Sequence, residues 1–190
     1  MANISSHSQE AILRSDATRI VLSAMRAFST CAPLQEEACR LLRALCVKSS
    51  DGRASVSGSA GIMSVVRAMS VHTDSSKVQE QAAGVFAGMA LEEAWCSVVA
   101  SSGALDAIVK AMSAHPKDRS LQETCCIALR NLSINSDARN ELTVPDRLET
   151  IILALTLQEE SEIVQENVCG ILWNLSANMA RGSRPFINPE

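Results

Sequence analysis

Tyrosine is absent from this chain of 190 residues, and aromatic residues make up only 3% of it. A core must therefore be filled by Ala, Leu, Val, Ser and Met, which suits closely packed helices. A basic excess is also missing: 17 Lys and Arg face 21 Asp and Glu, for a net charge of −4. No overall attraction for nucleic acid or an anionic membrane follows from that balance. No apolar run is long enough to span a bilayer; "IILAL" at 151–155 is far too short. The opening "MANISSHSQEAILRSD" lacks the apolar centre of a secretory signal. These features predict a soluble protein of the cytoplasm, the nucleus or both. The seven cysteines are odd in number and lie in helical stretches, so a disulfide framework is not expected. With 47% apolar residues the chain is rich enough to fold.

One thirteen-residue phrase occurs four times: "LQEEACRLLRALC" (34–46), "VQEQAAGVFAGMA" (78–90), "LQETCCIALRNLS" (121–133) and "VQENVCGILWNLS" (164–176). Its second place is always Gln, at Gln35, Gln79, Gln122 and Gln165, in steps of 44, 43 and 43 residues. A second block keeps the same beat, with Met25, Met69, Met112 and Leu155 in matching places. Such a period is the mark of a stacked solenoid. Apolar or small residues at places 1, 5, 8, 9 and 12 of the phrase form a helical stripe. Pro33, Ser76 and Ser120 are the expected starts of this helix, with Ser76–Gln79 and Ser120–Glu123 as capping boxes. A shorter apolar segment precedes each second block, at 10–15, 94–102 and 137–144. Its counterpart within "KSSDGRASVSGSAG" (48–61) is rich in Gly and Ser and is expected to be a flexible, weakly helical link.

Three helices per 43 or 44 residues, the last carrying "VQExAxxALxNLA", resemble an armadillo repeat. A HEAT repeat shares the period but usually has two helices. The resemblance implies an all-α, right-handed superhelix of about four repeats over residues 5–177, at roughly 5–48, 49–91, 92–134 and 135–177, with 178–190 a flexible tail. It also implies that the helix bearing the phrase lines a concave groove for an extended segment of a protein partner. Groove side chains are expected at places 4, 7 and 11: Glu37 and Arg40; Gln81 and Gly84; Thr124, Ile127 and Asn131; Asn167, Gly170 and Asn174. Arg43, Arg130 and Trp173 flank them.

Importin-alpha-like proteins carry Trp at place 7 and Asn at place 11. Asn131 and Asn174 match, but place 7 holds Arg40, Gly84, Ile127 and Gly170, so the Trp ladder is missing. A nuclear-transport adaptor is the alternative that this weakens. Another is a regulatory or structural segment of a larger signalling assembly. A third, a thiol enzyme or redox sensor, meets an objection in the phrase itself. Where Cys39, Cys46, Cys125, Cys126 or Cys169 stands, the other copies have Ala, Ser or Val, which suits a small core residue. No zinc-ligand spacing or catalytic motif is present, so no cofactor, metal or enzymatic activity is expected. The row Glu36, Glu80, Glu123 and Glu166 at place 3 is expected in the first turn of its helix, where an acid favours the N-terminus. His72 and His115 are expected to cap the ends of their own helices. The apolar last phrase predicts an end face open to self-association, or covered by Phe186 and Ile187 of the tail.

Overall fold

The computed structural model describes residues 16–58 and 60–182. Among them there are eleven α-helices and no strand: α1 (Ala17–Ala27), α2 (Ala32–Lys48), α3 (Ser50–Gly58), α4 (Gly61–Val71), α5 (Ser76–Met89), α6 (Glu93–Ser101), α7 (Ala104–Ala114), α8 (Arg119–Leu132), α9 (Ser136–Leu142), α10 (Pro145–Leu157) and α11 (Glu162–Gly182). They fall into an armadillo-type right-handed solenoid. A short first helix (α3, α6, α9) leads to a second (α1, α4, α7, α10) and then to a long third that carries the phrase (α2, α5, α8, α11). The expected segment at 10–15 lies outside the described residues, as does the tail beyond 182. The tail was expected from 178, but α11 continues to Gly182.

Each recurring Gln binds two carbonyls at the end of its own second helix. The Nε2 group of Gln79 donates to the carbonyls of Met69 and His72, both at 2.8 Å. Gln122 does the same to Met112 and His115, Gln35 to Met25 and Phe28, and Gln165 to Leu155 and Gln158. The last carbonyls of any helix lack internal partners, and here a buried side chain supplies one. This explains the Gln at the second place.

The histidines act one repeat further back than expected. His72 Nε2 lies 2.8 Å from the carbonyl of Ser29, and His115 Nε2 lies 2.7 Å from that of Thr73. Gln158, at the equivalent place, donates to the Pro116 carbonyl. A carbonyl only accepts, so each Nε2 carries its proton. Their own helices are already served by glutamine, which leaves the ring free to tie one repeat to the one before.

Helix starts also differ from expectation. The caps are Ser75, which accepts from Val78 N–H, and Asp118, which accepts from Leu121 N–H. Ser161 serves α11 through Val164 N–H. These starts fall one or two residues earlier than the expected Ser76 and Ser120. The glutamates at place 3 are therefore in the second turn, where the helix dipole does not explain them.

The Gly/Ser-rich stretch is helix α3 rather than a loose link. Arg53 reaches from it to the carbonyl of Cys46 at 2.6 Å and pairs with Glu92. Any Cβ at Gly52 would strike the Leu45 carbonyl, so glycine is what lets α3 approach α2. Packing here overrides weak propensity. Cys96 and Arg139 occupy the places equivalent to Arg53. Their side chains contact the Ala90 and Ser133 carbonyls at the ends of α5 and α8.

Gln122→Leu should lower stability by about 2–3 kcal/mol, because two buried carbonyls lose their donor while volume is kept. Gln81→Leu, half exposed, should change it by about 0.5 kcal/mol or less. Urea denaturation followed by circular dichroism compares the two. Equal effects would mean that the glutamine contact does not hold the repeat together.

Candidate protein-interaction surface

Consecutive third helices pack side by side, and these joints decide which side chains stay free. Places 5 and 6 are sealed within the joints: Ala82, Ala83, Cys125 and Cys126 are fully buried. Places 4 and 11 also turn into the joints. Thr124 and Asn167 are buried, Gln81 is half-buried, and Gly88 is in van der Waals contact with the repeat before it. A Cβ on Gly88 would stand 3.0 Å from Cys46 Cβ and 3.1 Å from the Val47 backbone nitrogen. At place 11, Asn131 Nδ2 donates to the Ala87 carbonyl at 3.2 Å, and Asn174 Nδ2 to Ser133 Oγ at 2.9 Å. One N–H of each of these amides is thus engaged in holding repeats together.

Place 10 reaches across each joint towards place 7 of the next repeat. The Arg43 side chain covers Gly84, and Arg130 covers Gly170, whose Cβ would stand 2.7 Å from Arg130 Nε. Between them the sizes reverse, with Ala87 at place 10 and Ile127 at place 7. The arginines then meet the glutamates of place 3: Arg43 lies 3.7 Å from Glu80, and Arg130 2.8 Å from Glu166. Glu123 accepts from Ser161 Oγ of the next repeat and from Arg119, and these bonds hold its carboxyl below the usual value. Glu80 and Glu166 thus form ion pairs with the repeat before them, and Glu123 is tied to the repeat after it by a serine hydroxyl. In the first repeat Glu37 and Arg40 are both exposed and pair with each other.

The outward face of the third helices is consequently rotated from the expected places. At about 100° per residue, places 3, 7, 10 and 14 share one sector of about 60°. Places 4 and 11 lie about 90° and 70° from the middle of that sector. Place 14, missed in the sequence, carries an apolar side chain on three successive repeats: Val47, Leu91 and Ile134, each about half exposed. Its signal was present, since the period of the phrase continues one residue past its last word. Ile127 adds a further exposed aliphatic group, and Gly84 and Gly170 lie beneath arginines.

The last repeat leaves a different surface open. Cys169 is exposed, whereas its counterparts Cys39, Ala83 and Cys126 are fully buried. Trp173 is 75% exposed, and Ile152 is 45% exposed where Val109 is 7%. Of the cysteines, Cys31 and Cys169 are exposed and the other five are buried. Burial pushes the thiols of Cys39, Cys46 and Cys126 up to about 12 from an ordinary 9.0, and that of Cys125 well above it. Adjacent Cys125 and Cys126 are therefore core residues of two different faces. Among the described residues no group of His, Cys, Asp or Glu could hold a metal ion. No helix of the described residues is long and apolar enough to cross a membrane.

A family model described as LRRK2 ARM repeat matches residues 7–181. The chain belongs to this family. The LRRK2 ARM repeat match covers every described helix except the last residue of α11. Two crystal structures of engineered proteins from the Northeast Structural Genomics Consortium share the fold. One has 21% identity and a TM-score of 0.79, over 90% of this chain and 69% of its own. The other has 20% identity and a TM-score of 0.77, over 90% and 67%. No curated protein matches the chain in sequence.

A thiol reagent at pH 8 should modify two cysteines quickly, Cys31 and Cys169, and all seven after denaturation. Rapid native modification of Cys125 and Cys126 would contradict their core placement. The same burial sets a pH dependence. Thiols whose folded value is raised support the fold fully below pH 9.0 and lose that contribution as pH climbs towards about 12. The urea midpoint should therefore fall above pH 9, and less steeply in Cys126→Ala.

Proposed function

We propose that the chain is a non-catalytic protein-interaction scaffold that binds a segment of a partner on the outward face of its third helices. The observation that carries this reading is the row Val47, Leu91 and Ile134, exposed and in register on three repeats. Repeated apolar groups on a rigid stack offer anchors at the spacing of neighbouring helices, about 8–10 Å. The arginine–glutamate pairs beside them supply a polar border. Membership of an armadillo family supports the same reading. The amides of Asn131 and Asn174 are engaged in the joints, and arginines cover the glycines at place 7. Both facts count against importin-alpha-type recognition.

Affinity capture from source cells should recover a partner with the native protein and with Met63→Glu, an exposed substitution on α4 away from the row. The double change Leu91→Glu and Ile134→Glu should lose that partner, with the thermal midpoint held within about 3 °C. Undiminished capture by the double variant would reject this face as the binding surface.

A second reading is a segment that stacks within a larger assembly. It is favoured by the exposure of Trp173, Cys169 and Ile152, whose counterparts on other repeats are more buried. Light scattering over a concentration series should show self-association that Trp173→Glu abolishes. A strict monomer throughout would remove self-association from the account.

A further inference from the structure

Helix α3 differs from the other first helices in what holds it. Its sequence, "SDGRASVSG", has two glycines and three serines in nine residues, and a helix so short and so composed does not stand by itself in water. Among the described residues Val56 is its one fully buried apolar side chain. Helix α6, also of nine residues, buries Cys96, Val99 and Ala100, and α9 buries Ala138 and Leu142. The turn from α3 into α4 is strained as well. Ala60 stands in the left-handed region at φ 58°, where its counterpart in the next repeat is Gly103 at φ 84°. That conformation strains a residue with a Cβ and leaves glycine relaxed.

Polar contacts offset this deficit, and they lead outside the repeat to which α3 belongs. Arg53, its side chain 10% exposed, donates through Nη1 to the Cys46 carbonyl at the end of α2 and through Nη2 to Glu92, the residue before α6. Glu92 also accepts from Ser50 Oγ at 3.3 Å and from Trp95 Nε1 at 3.2 Å. It thus gathers three donors, two of them from α3. The next joint between first helices is neutral, with Asn135 Nδ2 donating to Ser97 Oγ at 2.9 Å. Arg53 Nε is buried without a partner, and Glu92 is the one ion-pair partner of this guanidinium among the described residues. A buried cation held in this way depends heavily on its single counter-charge.

We infer that α3 is a strap that opens and closes as a unit, latched by Arg53 to Glu92 of the following repeat. Closed, it satisfies the carbonyl end of α2. Open, it releases the Cys46 carbonyl and the last turn of α2 while the remaining helices stay folded. Closure needs the start of α6 in place, so the strap couples the first repeat to the third. None of this depends on the binding face proposed above. Amide hydrogen exchange, read by mass spectrometry at several urea concentrations, tests the strap. The amides of α3 should exchange at least about tenfold faster than those of α6, a helix of the same length, and with little dependence on urea, as a local opening does. Glu92→Gln, at a place whose side chain makes no cap bond to α6, should speed α3 exchange about tenfold or more through loss of the counter-charge. Ala60→Gly should slow it about threefold by relieving the strained turn. Gln165→Leu, in the last repeat, should speed exchange in α11 and leave α3 unchanged. Exchange of α3 at the rate and urea dependence of α5 and α8 would overturn the inference. So would α3 rates that neither Glu92→Gln nor Ala60→Gly moves, or that rise with Gln165→Leu.

Discussion

The side-chain amide of one glutamine per repeat is the contact on which the rest of the stack depends. It closes the carbonyl end of the second helix from within the third, and so sets the angle between them. With those carbonyls satisfied, the residue at the end of the second helix is free to reach backwards. His72, His115 and Gln158 use that freedom to bind the preceding repeat. Arg53 and Arg139 close the ends of the third helices in a comparable way from the following first helix. A repeat of this kind is completed by its neighbour, which is why a solenoid is stable as an array rather than as separate units.

Once the joints are made, they divide the phrase into inward and outward places. Small residues at place 6 let the helices approach, and Cys fills that need as well as Ala does. Arginine over glycine, then alanine beside isoleucine, shows joint volume conserved while its distribution changes. Function is read from the residues that the joints leave outside: an exposed aliphatic row and an apolar end face.

The fold was legible because it is written in repetition. The period, the helical stripe and the small residues at the cysteine places need no tertiary knowledge. Helix rotation about its own axis was not legible to the same degree. Places 4 and 11 and places 3, 10 and 14 are neighbours on a wheel, and only the packing of Gly88 and Asn131 into the adjacent repeat shows which set turns inward. Helix α3 was missed because its stability comes from Arg53 and from the close approach at Gly52, not from propensity. The histidines were correctly placed at helix ends, but the glutamine at the same end had already taken the expected role.

Hydroxyl-radical footprinting of the native protein, read residue by residue by mass spectrometry, tests most directly the claim that the joints decide which faces are free. Met63 and Trp173, exposed by 57% and 75%, should oxidise rapidly, with Leu91 and Ile134 also modified. Met25, Met69, Met89, Met112 and Phe86, each 2% exposed or less, should be protected until the chain unfolds. Oxidation of Met89 and Met112 as fast as Met63, or protection of Trp173, Leu91 and Ile134, would contradict the packing from which the interaction surface is derived.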